Sequence, residues 1–136
     1  MPFELHIVTP EGEAFRGPVE SVVLPGVEGD FGVLPGHVPF MTPLRIGEAE
    51  IRRSGGTVYA AVNEGFAEVN PDRVVVMADT CELSSDIDVA RAERARERAE
   101  RELGALRVRN AEDHGFKVAQ ASLQRAVTRI AVARPR

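Results

Sequence analysis

The 136-residue chain has no tryptophan and only one tyrosine, one cysteine and one lysine. Each scarcity removes a class of function. A lone Cys81 forms no internal disulfide and no cysteine-cluster zinc site. The single lysine, Lys117, follows no glycine-rich loop, which excludes a P-loop nucleotide hydrolase. The histidines His6, His37 and His114 supply no HExxH pair and no second metal ligand at helical spacing. There is no GxSxG nucleophile elbow, and no histidine near Cys81 in sequence activates its thiol. The longest stretch free of charged residues, Phe31 to Leu44, runs 14 residues and holds three prolines. A membrane helix needs ~20 apolar residues, so no membrane insertion is expected. No basic, apolar leader follows Met1, and no secretory signal is expected. A net charge of −4 does not suit a nucleic-acid footprint.

What is present is a soluble, globular composition, 43% hydrophobic and 28% charged, split sharply near Cys81–Glu82. Residues 1–81 hold 10 of the 12 glycines and 8 of the 9 prolines, with five arginines against twelve carboxylates. Residues 82–136 hold twelve basic against nine acidic side chains, which turns a net −7 into +3. Frequent glycine and proline mark turns between short strands; an Ala/Arg/Glu-rich stretch without them marks helix. The expected fold class is α+β: an N-terminal antiparallel β-sandwich or flattened barrel over residues 1–83, followed by a two-helix antiparallel hairpin over 84–136.

In the first part, Phe3-Glu4-Leu5-His6-Ile7 alternates apolar and polar, which puts Phe3, Leu5 and Ile7 on one sheet face and His6 on the solvated one. Val19 to Leu24 is β-rich. Glu48 to Arg52 alternates again, and Ser54-Gly55-Gly56 signals a hairpin into a strand over Thr57 to Val62. Phe66 to Val69 and Val74 to Met77 flank the turn Asn70-Pro71-Asp72. Cys81 is expected to be an ordinary small residue at the end of this region.

In the second part, Ser85 is expected to cap a helix, with Asp88 three residues on returning a capping-box bond. Asp86 and Asp88 suit the positive end of a helix dipole better than a catalytic carboxylate pair. Ala92, Ala95, Ala99, Leu103 and Leu106 form a narrow stripe, with an expected break from Gly104 through Asn110. Phe116, Ala119, Leu123, Ala126, Ile130 and Ala133 form a heptad-like seam on the second helix. Small residues let two helices approach closely but bury little area, so the hairpin is expected to be weakly held and movable. Arg91, Arg94, Arg98 and Arg101 follow at helical spacing. The Glu93–Glu97 and Arg94–Arg101 stretch offers i,i+4 pairs on a solvated face.

The most informative segment is Gly29-Asp30-Phe31-Gly32-Val33-Leu34-Pro35-Gly36-His37-Val38-Pro39. Three glycines and two prolines in eleven residues fix an unusual backbone path, with Phe31, Val33 and Leu34 expected to pack inward. Its spacing is not that of a dinucleotide loop, and no catalytic constellation accompanies it.

This segment resembles the G-D/E-L/F-G-I/V-x-P-G-H-x-P motif of the epsilon subunit of bacterial-type F-type ATP synthases. Val8-Thr9-Pro10-Glu11-Gly12, Gly65-Phe66-Ala67-Glu68-Val69, Val75-Val76-Met77-Ala78-Asp79, Ile87-Asp88-Val89-Ala90-Arg91-Ala92 and Arg125-Ala126-Val127-Thr128-Arg129-Ile130 are similar to the family in the same order. The resemblance covers essentially the whole chain. It implies a β-domain of about ten strands and a helical hairpin. It also implies a non-catalytic rotor subunit of a proton-translocating ATP synthase, at the cytoplasmic face of a bacterial inner membrane. The implied partners are the gamma subunit, the ring of membrane c-subunits and the catalytic alpha/beta head. By position in the motif, Asp30 and His37 are the implied c-ring contacts; a loop histidine bonding its own backbone is the plainer reading of His37. Arg94, Arg98 and Arg101 are the implied inhibitory basic face of a hairpin that is folded or extended. No cofactor is implied, but ATP is a regulatory ligand in some members through an I/L-D-x-x-R-A motif. That motif maps onto Ile87, Asp88, Arg91 and Ala92, with Glu82 before it and Arg125 and Arg129 facing the phosphates. Guanidinium forks match phosphate oxygens. A cap at Asp88 and solvated arginines are the plainer alternatives. The competing reading from another class is a free-standing ATP-sensing module with no rotor partner. A small enzyme built on His37 lacks a second catalytic group.

Overall fold

A computed structural model describes residues 2–106 and 114–136 of the chain. Two compact units follow one another, Met1–Ser84 and Ser85–Arg136. The first is built of eight strands: β1 (Phe3–Thr9), β2 (Gly12–Val19), β3 (Ser21–Gly26), β4 (Gly29–Val33), β5 (Phe40–Leu44), β6 (Gly47–Arg53), β7 (Gly56–Val69) and β8 (Arg73–Leu83). A short 3-10 turn at Ser84–Asp86 precedes α1 (Val89–Leu106) and α2 (His114–Ala133). Eight strands among the described residues stand where the resemblance implied about ten.

The strands run in the order β2-β1-β8-β7-β5-β3-β4, with β6 pairing both β3 and β7. All pairs are antiparallel except β1–β8. Period-2 patterning places the core: Phe3, Leu5 and Ile7 of β1 are buried and meet Val22, Leu24, Ile51, Val62, Val74 and Val76 in one cluster. Every residue of that cluster belongs to the first unit, which therefore carries a complete core of its own. His6 is not solvated as the alternation suggested. Its side chain keeps 16% of its exposure and sets Nε2 3.3 Å from Glu4 Oε1 on the same sheet face.

The two runs expected at Thr57–Val62 and Phe66–Val69 are the arms of one 14-residue strand, β7. Its first arm pairs β6 from Gly56 to Val62, and its second pairs β5 from Gly65 to Val69. The hand-over falls at Glu64, the one non-glycine residue among those described with positive φ (46°), and at Gly65 (φ 146°). A Cβ on Gly65 would drive into the carbonyl of Met77, so only glycine lets β7 bend there while staying hydrogen-bonded to β8. Two-residue turns close β6 onto β7 at Ser54-Gly55 and β7 onto β8 at Pro71-Asp72.

In the second unit α1 and α2 pack on each other. Ala92 and Ala99 of α1 and Ala119 and Ala126 of α2 are buried, as the alanine stripes predict; Thr128 and Val132 are buried as well. The capping assignment needs correction. Ser84 and Ser85 lie in the 3-10 turn, and Asp88 caps α1: its Oδ1 accepts from Arg91 N at 3.0 Å, and its carbonyl from Ala92 N at 3.0 Å. The extra turn delays the helix start by three residues. Gly104 lies inside α1, so that helix does not break there; the rest of the expected break, through Asn110, falls outside the described residues.

Candidate functional site

The glycine-rich motif forms β4, a tight turn and the entry to β5. In Leu34-Pro35-Gly36-His37, the His37 N–H donates to Leu34 O at 3.2 Å, and Gly36 has φ 77°. Proline at the second position and a positive-φ glycine at the third define a type II turn. The Gly36 N–H in turn donates to Pro71 O at 3.1 Å, tying this turn to the one between β7 and β8. Val33 is buried and Phe31 packs partly on the core, but Leu34 does not point inward. It is 63% exposed, because the first residue of the turn already faces away from the sheet. Val38 is 73% exposed.

His37 is held from two sides. Its Nδ1 lies 3.0 Å from Val38 O, and its ring sits 5.3 Å from that of Phe40, which meets Phe31 edge-on at 5.4 Å. Asp30, by contrast, is paired: Arg45 Nη2 donates to its Oδ1, with both side chains about half exposed. Arg45 is fixed by its own N–H to Pro25 O (2.9 Å) and by Nη1 to Ile46 O (3.2 Å). Gly47 leaves the room for this, since a Cβ there would come within 2.6 Å of Pro25 Cβ and 2.8 Å of Arg45 Nη1.

The outer face of the sheet adds an apolar strip. Phe66 of β7 pairs with Met77 of β8 on one side and Pro43 of β5 on the other, with Met41 two residues along β5. Phe66, Met77 and Met41 are 50%, 53% and 64% exposed. Together they form an exposed apolar patch across three strands. An open groove of about 290 Å³ lies between β3, β4 and β6, lined by Val23, Gly32, Leu34 and the Glu50–Arg52 pair, among others. It shares only Gly32, Val33 and Leu34 with the motif.

In the second unit, Asp88, Arg91 and Ala92 lie on the first turn of α1, with the Asp88 carboxylate engaged in the cap and Ala92 buried. Arg125 Nη2 donates to Ser122 Oγ at 3.1 Å, and Arg129 lies one turn further on α2. Ile87 is buried ahead of the helix, and Glu82 belongs to β8 in the first unit. Arg91, Arg94, Arg98 and Arg101 are exposed along α1. Among the described residues the ion pairs of α1 form elsewhere. Arg96 reaches Glu93 at 2.7 Å, while its Nε stands 3.3 Å from Glu100 without hydrogen-bond alignment. Burial, aided by the adjacent Glu82 charge, pushes the Cys81 thiol up to about 11, which disfavours the thiolate.

A family model for the ATP synthase delta/epsilon chain β-sandwich domain matches residues 2–84, and one for the long α-helix domain matches 85–134. The chain belongs to the ATP synthase epsilon-chain family. The epsilon chain of Halalkalibacterium halodurans is 42% identical over 95% of both chains. That of Syntrophobacter fumaroxidans is 47% identical over 96% of this chain and 94% of its own. A chain of the Euglena gracilis mitochondrial ATP synthase OSCP/F1/c-ring structure has the same fold. It shows a TM-score of 0.79 at 22% identity, over 96% of this chain and 80% of that one. This chain combines the two matched domains, a sandwich and a helical one. Among the described residues no group of histidine, cysteine and carboxylates could hold a metal, and no helix is long and apolar enough to cross a membrane.

Sequence reasoning reached Asp30, His37 and the helical arginines, but not Arg45, Phe40 or Pro71, which hold the motif in place. Phe40 opens a strand directly after Pro39 and Pro71 is legible as part of a turn, but nothing local ties either to the motif.

Proposed function

We propose that this chain is a non-catalytic rotor subunit of a proton-translocating F-type ATP synthase. Its β-domain links the gamma subunit to the c-subunit ring at the cytoplasmic face of a bacterial membrane, and its hairpin restrains ATP hydrolysis. The observation that carries this reading is kinship with epsilon chains at 42–47% identity across both units. Two surfaces of the β-domain suit two partners. The apolar strip of Met41, Phe66 and Met77 fits a broad dock on gamma. The motif turn, a small tip with Asp30 and His37 beside exposed Leu34 and Val38, fits the polar loops of a ring. The exposed arginines Arg94, Arg98 and Arg101, which form no ion pair among the described residues, offer charge to acidic segments of the alpha/beta head.

ATP is the proposed regulatory ligand of the folded hairpin. Ile87, Asp88, Arg91 and Ala92 supply the motif, Glu82 precedes it, and Arg125 and Arg129 supply phosphate-binding forks. The packing of α1 on α2 supports this reading, because the two halves of the motif lie on helices that touch. Binding there favours the folded state by its differential affinity for that state.

Co-purification with gamma and an assembled c-ring tests the rotor reading: the full chain is expected in the complex, and a chain that stays free while gamma and the ring associate refutes it. Titration calorimetry with millimolar ATP tests the ligand. Heat that disappears in R125A/R129A supports the site; no heat with or without magnesium removes the ligand and leaves the rotor reading standing.

A further inference from the structure

The contact between His37 and Val38 decides more than the orientation of a ring. A carbonyl oxygen only accepts, so the hydrogen of the 3.0 Å Nδ1···O contact belongs to Nδ1. A neutral imidazole carries one such hydrogen, which leaves Nε2 with a bare lone pair. Among the described residues no group donates to Nε2. Phe40 closes one face of the ring at 5.3 Å, and Phe31 backs Phe40 in turn. Turning the ring over to expose Nδ1 would break the Val38 bond. On either side of the motif turn stand Leu34 and Val38, both largely exposed and without polar side-chain atoms.

We infer that His37 presents Nε2 as a fixed hydrogen-bond acceptor at an apolar tip, and that the surface docking there supplies an N–H or O–H donor. Phe40 is the positioning residue for that acceptor. The occupant is the polar loop of the ring, a part that rests on the rotor reading; the tautomer does not. An apolar surround raises the selectivity of such a contact, because a partner without a donor leaves Nε2 desolvated and unpaired. Asn and Gln separate the two nitrogens of histidine: the amide of Gln reaches about as far as Nε2, that of Asn about as far as Nδ1.

Long-range ¹H–¹⁵N correlation spectra of the full-length chain, with ¹⁵N-labelled histidine in the neutral state, read the tautomer directly. The expected result is a protonated Nδ1 and an unprotonated Nε2 for His37, with the preference lost in F40L while the remaining spectrum stays folded. A protonated Nε2 in the native chain overturns the inference, whatever the chain binds. For the docking half, wild type, H37Q and H37N are compared for co-purification with gamma and the c-ring. Retention by H37Q with at least a tenfold loss in H37N is expected. Equal retention by both variants overturns the acceptor contact while leaving the rotor reading intact. A wild-type chain that fails to dock overturns the rotor reading and, with it, the identity of the occupant.

Discussion

The Gly36 N–H donates to the carbonyl of Pro71 across 3.1 Å, joining two turns that lie 35 residues apart in sequence. On one side of that bond is the exposed tip of the glycine-rich motif; on the other is the β7–β8 turn, whose Asp72 carbonyl also accepts from Glu4 N. The tip is thereby tied through the β7–β8 turn to β1, while Leu34 and Val38 stay exposed.

Gly36 has φ 77° but open space around its missing Cβ, so alanine there costs conformational energy without a clash. G36A is expected to destabilise the chain by about 1–2 kcal/mol in urea denaturation. G32A, also in open space but without positive φ, is the control and is expected to stay within about 0.5 kcal/mol of wild type. Equal effects of the two would deny the left-handed requirement at Gly36.

At Gly65 the penalty is steric as well. The Met77 carbonyl leaves no room for a side chain, and backbone cannot swing aside as a side-chain tip can. G65A is expected to cost about 3 kcal/mol or more, visible as a large fall in the denaturation midpoint or as failure to fold. A near-native midpoint would show that β7 can bend elsewhere.

The burial pattern of β1 was legible in sequence because one buried face imposes a strict period of two on Phe3, Leu5 and Ile7. The continuity of β7 was not, since the Glu64–Gly65 bend looks locally like a break and only pairing with β8 reveals one strand. Hydrophobicity alone puts Leu34 in the core, but its place at the head of a type II turn sends it outward. Ser85 matched a capping pattern, and the intervening 3-10 turn moved the cap to Asp88. The candidate site was legible through the family motif rather than through chemistry, which explains why its supports were missed. No local rule pairs Asp30 with Arg45 fifteen residues on, or Gly36 with Pro71.

Asp88 allows cap and charge to be separated. D88A removes the acceptor of the Arg91 N–H and is expected to cost about 1 kcal/mol, read from thermal unfolding of the helical signal. D88N keeps an acceptor oxygen and is expected to retain most of that stability. If D88A unfolds no earlier than wild type, the cap contributes nothing measurable.

Cys81 gives a prediction in pH. Burial first, then the Glu82 charge, raise its thiol from near 9 to about 11. Between those values the unfolded chain releases a proton that the folded chain keeps, so stability from this group falls as pH rises through the window and is constant below it. At pH 8 iodoacetamide is expected to alkylate the native chain roughly a hundredfold more slowly than the urea-unfolded chain. Comparable rates would mean an accessible, ordinary thiol.

ATP hydrolysis by a catalytic head containing gamma separates a docking sandwich from a movable brake. The full chain is added in parallel with a chain ending at Ser84, which keeps the whole sandwich core. Both chains are expected to bind gamma and only the full chain to slow hydrolysis, with inhibition relieved in R94A/R98A/R101A. Equal inhibition by the two chains, or no binding by either, would contradict this.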